Sequence, residues 1–320
     1  MTGADVVRIG SLCSGFGGLD LAVQAATGGR LAWAADPQPG PAAILARRFP
    51  RAPNLGDVRA IDWHAVPRVD VLAAGFPCQD ISHAGGRAGI QKGNRSGIWT
   101  HVADALGVLR PRLVVLENVA AIAVRRPGLD VVLADLAARG FDAQWGCLRA
   151  SDIGAPHRRN RWFLLAAPAA DSADHRRQRP RATRLGRTGS THRHQPPAHP
   201  TGPGWSTRDA RRGVQPVESG AGGVGGAAWG RYAAAIARWE HVTGQPAPEA
   251  TEAASRAGRR LSARFVEWLM GLEPGWVTDV PGLTRAQQLH ALGNGVIPLQ
   301  ALTAVRWLAP LLSRMQGDLA

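Results

Sequence analysis

Apolar residues arrive in short blocks separated by glycine, proline and charged turns, and through the first half of the chain the blocks alternate between two kinds. Continuous runs such as VVRIGSLCS (6–14), RLAWAAD (30–36), VDVLAAGF (69–76), PRLVVLENV (111–119) and RWFLLAAP (161–168) have the length of strands buried on both faces. Between them lie segments with apolar positions three and four apart. These are LDLAVQAAT (19–27) with Leu19, Val23 and Ala26, AAILARRF (42–49), THVADALGVL (100–109), and VVLADLAARG (131–140), closed by Gly140. Strand and helix in alternation predict an α/β fold with a mostly parallel sheet covered on both faces. In such sheets ligands gather at the carboxyl ends of the strands.

Beyond Pro168 the rhythm stops. From Asp171 to about Gly230 the chain is rich in Arg, His, Pro and Gly, with Arg176, Arg177, Arg179, Arg181, Arg184 and Arg187 crowded together. Composition leaves open whether this is a disordered linker or a polyanion-binding insert. Periodicity returns in WGRYAAAIARWEHVTG (229–244), a predicted helix carrying Trp229, Tyr232, Ile236 and Trp239. ARFVEWLMGL (263–272) and IPLQALTAVRWLAPLL (297–312) predict two further amphipathic helices, apolar enough to need a surface to pack on.

The net charge of +14 adds a positive field that suits a polyanion such as nucleic acid. Lys92 is the only lysine, and the preference for arginine also fits a GC-rich coding sequence, which explains the choice of cation but not the excess. With 320 residues and 45% apolar content the chain can build a large core without staples. Cys13, Cys78 and Cys147 lie far apart with no CxxC, so neither a disulfide framework nor a metal site is expected. The opening MTGADVVRIG lacks the pattern of a signal peptide, and no stretch approaches the about 18 continuous apolar residues of a membrane span. A cytoplasmic location without membrane contact is the expectation.

Candidate chemistry sits where the apolar runs end. In SLCSGFGGLDLA (11–22) a strand runs through Gly15, Gly17 and Gly18 into a helix, so the backbone can approach a ligand and offer N–H donors. Glycines that merely turn a corner would look the same. Asp36 ends the next strand, where nucleoside-binding α/β folds place a carboxylate for ribose hydroxyls, and Asp57 in LGDV reads as a further strand-end acid suited to an adenine amino group. Either acid alone also reads as a helix cap or a solvated loop residue. Cys78 in AAGFPCQDIS (73–82) follows the stiff Pro77 and precedes a glycine-rich polar stretch suited to a mobile loop. A buried inert cysteine and an activated thiolate both fit that stretch alone. Glu117 and Asn118 emerge from a purely apolar run, and a carboxylate so placed is paired or used. Arg159 and Arg161 alternate at the head of a strand and project to one face, as a guanidinium pair for a base carbonyl or phosphate or as a solvated strand edge.

SGFGG (14–18), GFPCQDIS (75–82), ENV (117–119), RRNRW (158–162) and LGNGVIPLQA (292–301), in this order, resemble the cytosine-5 DNA methyltransferases of bacterial and phage type. The resemblance spans nearly the whole chain, including the arginine-rich gap before the last motif. It implies a Rossmann-like S-adenosylmethionine-dependent methyltransferase fold with a smaller irregular target-recognition region. Residues 1–167 would form the catalytic and cofactor-binding domain, 168–258 the target-recognition region, and 259–320 C-terminal helices that return to the catalytic domain.

The resemblance further implies methyl transfer from S-adenosylmethionine to C5 of a flipped-out cytosine through a covalent Cys78–C6 intermediate. Pro77 and Gln79 would shape the loop of the nucleophile, Glu117 would hold the N3 and N4 edge and protonate N3, and Arg161, helped by Arg159, would hold O2. Ser14, Gly15, Phe16, Gly18, Asp36, Pro37, Asp57, Val58, Pro77, Ile98, Asn294 and Val296 would surround the cofactor. Double-stranded DNA is the implied partner of a monomeric enzyme with a companion restriction endonuclease. Cys13 stands where the family usually has phenylalanine, Asp36 where it has glutamate and His157 where it has glutamine. The rivals are an RNA-directed member of the same family and a DNA-binding module without catalysis. Methylation of an exocyclic amino group would want an Asp/Asn-Pro-Pro-aromatic string, to which DPQP (36–39) is the nearest approach.

Overall fold

The computed structural model describes residues 6–77, 97–124, 127–169, 229–254 and 258–317. Two compact units are present, one of residues 1–173 and 234–320 and the other of residues 174–233. Within the second unit the described residues are 229–233, where a 3-10 turn at Gly230–Tyr232 sets the Arg231 guanidinium over the Tyr232 ring. The first unit resumes at Ala234, earlier than the expected boundary at 258. The reason is the helix Ala233–Thr243, whose Ile236 and Trp239 are buried, the Trp239 indole N–H donating to the Trp268 carbonyl at 3.0 Å.

The large unit is built on a six-stranded sheet of order β2-β1-β3-β4-β6-β5. Strands β1 (Arg8–Leu12), β2 (Arg30–Ala35), β3 (Val71–Gly75) and β4 (Leu113–Val119) are parallel to one another, and β6 (Asn160–Pro168) runs antiparallel to both β4 and β5 (Phe141–Arg149). The sheet is therefore mostly parallel, as expected. On β4, Val114 and Leu116 enter one core layer and Val115 the other, which is why this strand reads as an unbroken apolar run. One layer is closed by α3 (Ile98–Leu109) and α4 (Leu129–Ala138), the other by α1 (Gly18–Thr27), α2 (Pro39–Arg48) and a long C-terminal helix.

Numbered in chain order, the remaining helices are α5 (Ala233–Thr243), α6 (Ala263–Leu269), α7 (Arg285–Asn294) and α8 (Pro298–Gly317), with a small ladder of β7 (Thr251–Ala253) and β8 (Arg259–Leu261) before α6. Strand β5 and helix α7 are absent from the sequence reading. By length and apolar composition 285–314 would pass for a membrane-crossing helix, which qualifies the expectation of no such stretch. It is two helices, and Ala301, Ala304, Val305, Leu308 and Leu312 of α8 are buried in the core layer shared with α1.

Candidate active site

The chain leaves β1 through three residues in the left-handed region, Cys13 (φ 54°), Gly15 (φ 56°) and Gly17 (φ 85°), before α1 begins. Glycine accepts this conformation without strain, and it also permits close approach. A Cβ on Gly17 would stand 2.5 Å from the Phe49 ring, and one on Gly18 would run into the Val296 carbonyl, whereas one on Gly15 would meet nothing within 4 Å among the described residues. The turn is thus packed behind and open in front. It lies where β1 has β2 on one side and β3 on the other, the point at which an α/β sheet opens a crevice for ligands.

Asp36, directly after β2, accepts the Gly15 N–H at 2.9 Å and the Gln38 N–H at 3.0 Å. Burial raises its pKa, and those two N–H groups oppose the rise. Asn54, which the sequence reading missed, fixes Asp36 by bonding both its backbone N–H and its carbonyl. Ser14 is buried and its hydroxyl donates to Ser11 Oγ at 2.7 Å.

Asp57 is not at a strand end, which corrects the expectation. Only an isolated bridge, Ala34 with Asn54, precedes it. Arg59 grips it with a fork of contacts at 2.5–3.0 Å, and these hydrogen bonds hold its carboxyl down at about 2. Val58 is buried beside it, and Pro37 and Pro77 are exposed. The Phe16 ring is wholly enclosed, against Gly18 and Gly295, so it braces the turn and does not face the crevice. Ile98 opens α3 and packs on the core. Asn294 ends α7 with its amide nitrogen 3.0 Å from His290 Nε2, and the following Gly295 and Val296 lie against Phe16 and Gly18. The C-terminal motif therefore returns to the first strand, as expected.

Across the next strand end stands the second group of candidates. Glu117 is the register partner of Gly75, and its Oε1 pairs with Arg161 Nε at 2.7 Å, both side chains largely buried. Burial pushes the Glu117 carboxyl up to about 7, with Arg161 and Arg159 pulling the other way. A Cβ on Gly75 would stand 3.4 Å from Glu117 Oε2 and 3.7 Å from the Cys13 carbonyl, so the bare strand end lets the carboxylate and the glycine turn face each other closely. Asn118 donates to the Phe76 carbonyl at 2.8 Å and accepts the N–H of Val119, which anchors the end of β3 just before Pro77. Cys78 and Gln79 themselves lie outside the described residues.

Arg159 and Arg161 both act electrostatically on Glu117, yet their tasks differ. Arg159 donates to the Gly293 carbonyl at 2.7 Å and the Gly295 carbonyl at 2.5 Å, while its own carbonyl accepts from the buried Gln300 amide at 3.1 Å. It is a bracket between β6 and the segment joining α7 to α8. Among the described residues, Arg161 is the one that pairs directly with Glu117. His157, in the glutamine position, contacts the Leu269 carbonyl through Nε2 at 3.2 Å, a backbone contact to the end of α6.

Asp20 carries no expectation from the sequence, and the structure singles it out. It lies in the first turn of α1, fully buried, and among the described residues neither carboxylate oxygen has a hydrogen-bond partner within bonding geometry. Burial pushes its carboxyl up to about 7, opposed in part by the nearby Ser11 hydroxyl and reinforced by Asp36. A carboxyl that is more basic when folded stabilises the fold below about pH 4 and loses that contribution as pH rises toward 7. Asp20→Asn is therefore expected to gain on the order of 2–4 kcal/mol at pH 8 and little at pH 4, which thermal melts at the two pH values check. Equal gains at both would show that the buried charge is not the cause.

A glycine turn at the switch point faces a buried carboxylate–guanidinium pair across one bare strand end of an α/β sheet. The family model of C-5 cytosine-specific DNA methylase matches residues 7–184, more than half of the chain, and the chain belongs to that family. It is 32% identical over 139 residues to Type II methyltransferase M.NlaIV of Neisseria lactamica, covering 41% of this chain and 33% of that protein. It is 36% identical over 124 residues to Type II methyltransferase M.CviJI of Paramecium bursaria Chlorella virus IL3A, covering 38% of this chain and 33% of that protein. The matched stretch thus spans about a third of these relatives' length. The crystal structure of the S. pombe Dnmt2 methyltransferase shares the fold, with a TM-score of 0.58 at 16% identity over 95% of this chain and 99% of that one.

Proposed function

We propose that the protein is a DNA cytosine-5 methyltransferase that uses S-adenosylmethionine and a covalent adduct between Cys78 and C6 of a flipped-out cytosine. The observation that carries this reading is the buried Glu117–Arg161 pair, whose Glu117 Oε2 would stand 3.4 Å from a Cβ on Gly75 at the bare end of β3, from which the chain enters Pro77 and Cys78. The crevice fits the cofactor. Its glycine turn is open at Gly15, where no described residue beyond the chain neighbours lies within 4 Å of a would-be Cβ, and Asp36 is buried beside it at the end of β2. Ser14, Gly15, Asp36, Val58, Ile98 and Val296 would hold it. When bound it supplies an electrophilic methyl group.

The residues of the chain make cytosine able to accept that group. C5 of the ring is a poor nucleophile. The Cys78 thiolate adds to C6 while the Glu117 carboxyl delivers its proton to N3, which leaves an enamine with its electron density on C5. After C5 is methylated, a solvent water takes the C5 proton, the thiolate leaves C6, and N3 returns its proton to Glu117, which restores the aromatic ring. Arg161, fixed by Glu117, offers its outer N–H groups to the base O2, and Arg159 acts behind it by holding the strand. A stacked cytosine exposes neither face, so the nucleotide must swing out of the duplex at a cost of a few kcal/mol.

The positive charge supplies sequence-independent affinity for phosphates, and the arginine-rich residues 171–230, almost all outside the described residues, would read bases. The chain would act on double-stranded DNA in the cytoplasm as a monomer, alongside a restriction endonuclease. Bisulfite sequencing of DNA from cells expressing the protein is expected to reveal methylcytosine at one recurring short site. Methylation of transfer RNA and not of a duplex would move the assignment to the RNA-directed branch. Tight DNA binding with no trapping of a 5-fluorocytosine duplex would leave only a binding module.

A further inference from the structure

The glycine turn is held from outside by a residue that no motif singles out. Trp276, in the segment between α6 and α7, donates its indole N–H to the Phe16 carbonyl at 2.9 Å. The same peptide unit carries the Gly17 N–H, which bonds the Ser14 carbonyl at 2.9 Å. A peptide plane is rigid, so these two bonds pin one plane from its two edges. The plane needs pinning because Gly15 and Gly17 flank Phe16 at positive φ and leave the backbone free to rotate.

Trp276 is itself immobilised. Arg48 donates through Nε to the Trp276 carbonyl at 2.8 Å and through its amino group to the Gly275 carbonyl, and its guanidinium lies 5.1 Å from the centre of the Trp276 ring. Phe49 meets that ring edge-on at 5.9 Å. From the other side the buried Glu267 carboxylate collects the N–H groups of Gly275, Val277 and Thr278 and the Thr278 hydroxyl. These bonds fix the backbone on both sides of Trp276, and the ring contacts fix its indole, which donates to one carbonyl.

We infer that Trp276 is a positioning residue for the methyl donor: its indole N–H selects the orientation of the Phe16–Gly17 peptide in which the turn accepts the cofactor. The inference rests on the donor reading above. Without the indole bond the turn divides its population between orientations, and the apparent affinity falls by the fraction that remains competent. Chemistry in the filled site is untouched, because the residue reaches neither base nor methyl group.

Trp276→Phe keeps an aromatic ring for Phe49 and Arg48 to pack on and removes the donor along with part of the indole's bulk. Calorimetry with S-adenosylhomocysteine is expected to show a dissociation constant raised about fivefold or more, with kcat at saturating S-adenosylmethionine and duplex within about twofold of wild type. Should that variant fail to fold, Arg48→Gln, which leaves the indole in place but unsupported, is expected to weaken the same binding to a smaller degree. A folded Trp276→Phe with unchanged affinity overturns the inference, as does a loss confined to kcat. If the wild-type protein itself binds no S-adenosylhomocysteine, the donor reading falls and takes this inference with it.

Discussion

Cys78→Ala is expected to abolish methyl transfer, lowering turnover by about 10⁴-fold or more, while affinity for S-adenosylhomocysteine stays within about twofold. Without a thiolate nothing adds to C6, and C5 keeps the low nucleophilicity of an aromatic carbon. The remaining machinery should survive the change. The end of β3 is held by Asn118 through the Phe76 carbonyl, the donor crevice by Asp36 and Asn54, and none of these bonds involves the cysteine. The sharpest check is a duplex containing 5-fluorocytosine, which should trap the wild-type chain as an adduct stable to denaturation and leave the variant untrapped. Turnover retained in Cys78→Ala would remove the covalent mechanism and require another group to activate the ring.

The parallel strands were legible because burial on both faces writes itself into sequence as an unbroken apolar run, as LVVL of β4 does. Strand β5 was not. It is an edge strand, most of its residues only half-buried, and Asp142 and Gln144 interrupt its apolar pattern. Helix α7 was hidden for a related reason, since RAQQLHALGN buries only Ala291 and Leu292. A local signal for it does exist in the reciprocal Thr284–Gln287 capping box. The reversed direction of β6 leaves no trace in its own residues, because it depends on a partner distant in sequence.

Of the site, strand-end chemistry was legible and bracing was not. Asp36, Glu117 and Arg161 announce themselves as charges at the ends of apolar runs, and the structure places each of them there. Asp57 shares that appearance yet sits in a loop, clamped by Arg59 two residues on. Trp276 and Gln300 act on backbone carbonyls more than 100 residues away, Asn54 and Glu267 act on the backbone of neighbouring loops 18 and 8–11 residues off, and a backbone group has no signature in sequence. Asp20 looks like an ordinary acid in the first turn of a helix, a favourable place in water. Its cost appears only once α1 is packed and the carboxyl is sealed inside.

Glu117→Gln separates the electrostatic and proton-transfer tasks of the acid. The amide has the shape of the carboxyl and can still donate a hydrogen bond to N3, but it has no proton to give, so negative charge builds on the ring as the thiolate adds. The single-turnover rate is expected to fall by ~10²–10⁴-fold with base binding largely kept. The pH profile tests the same step independently. Burial raises the carboxyl to about 7, so the protonated fraction that the proposed step needs is largest below pH 7, falls through neutrality and is small well above it. Wild-type single-turnover rates should therefore decline on the alkaline side of neutrality, against the opposing rise from ionisation of the Cys78 thiol. In Glu117→Gln the decline should vanish and the thiol rise alone remain. A variant that is slow but keeps the alkaline decline would place the titrating proton on some other group, and a variant as fast as wild type would show that N3 obtains its proton from water.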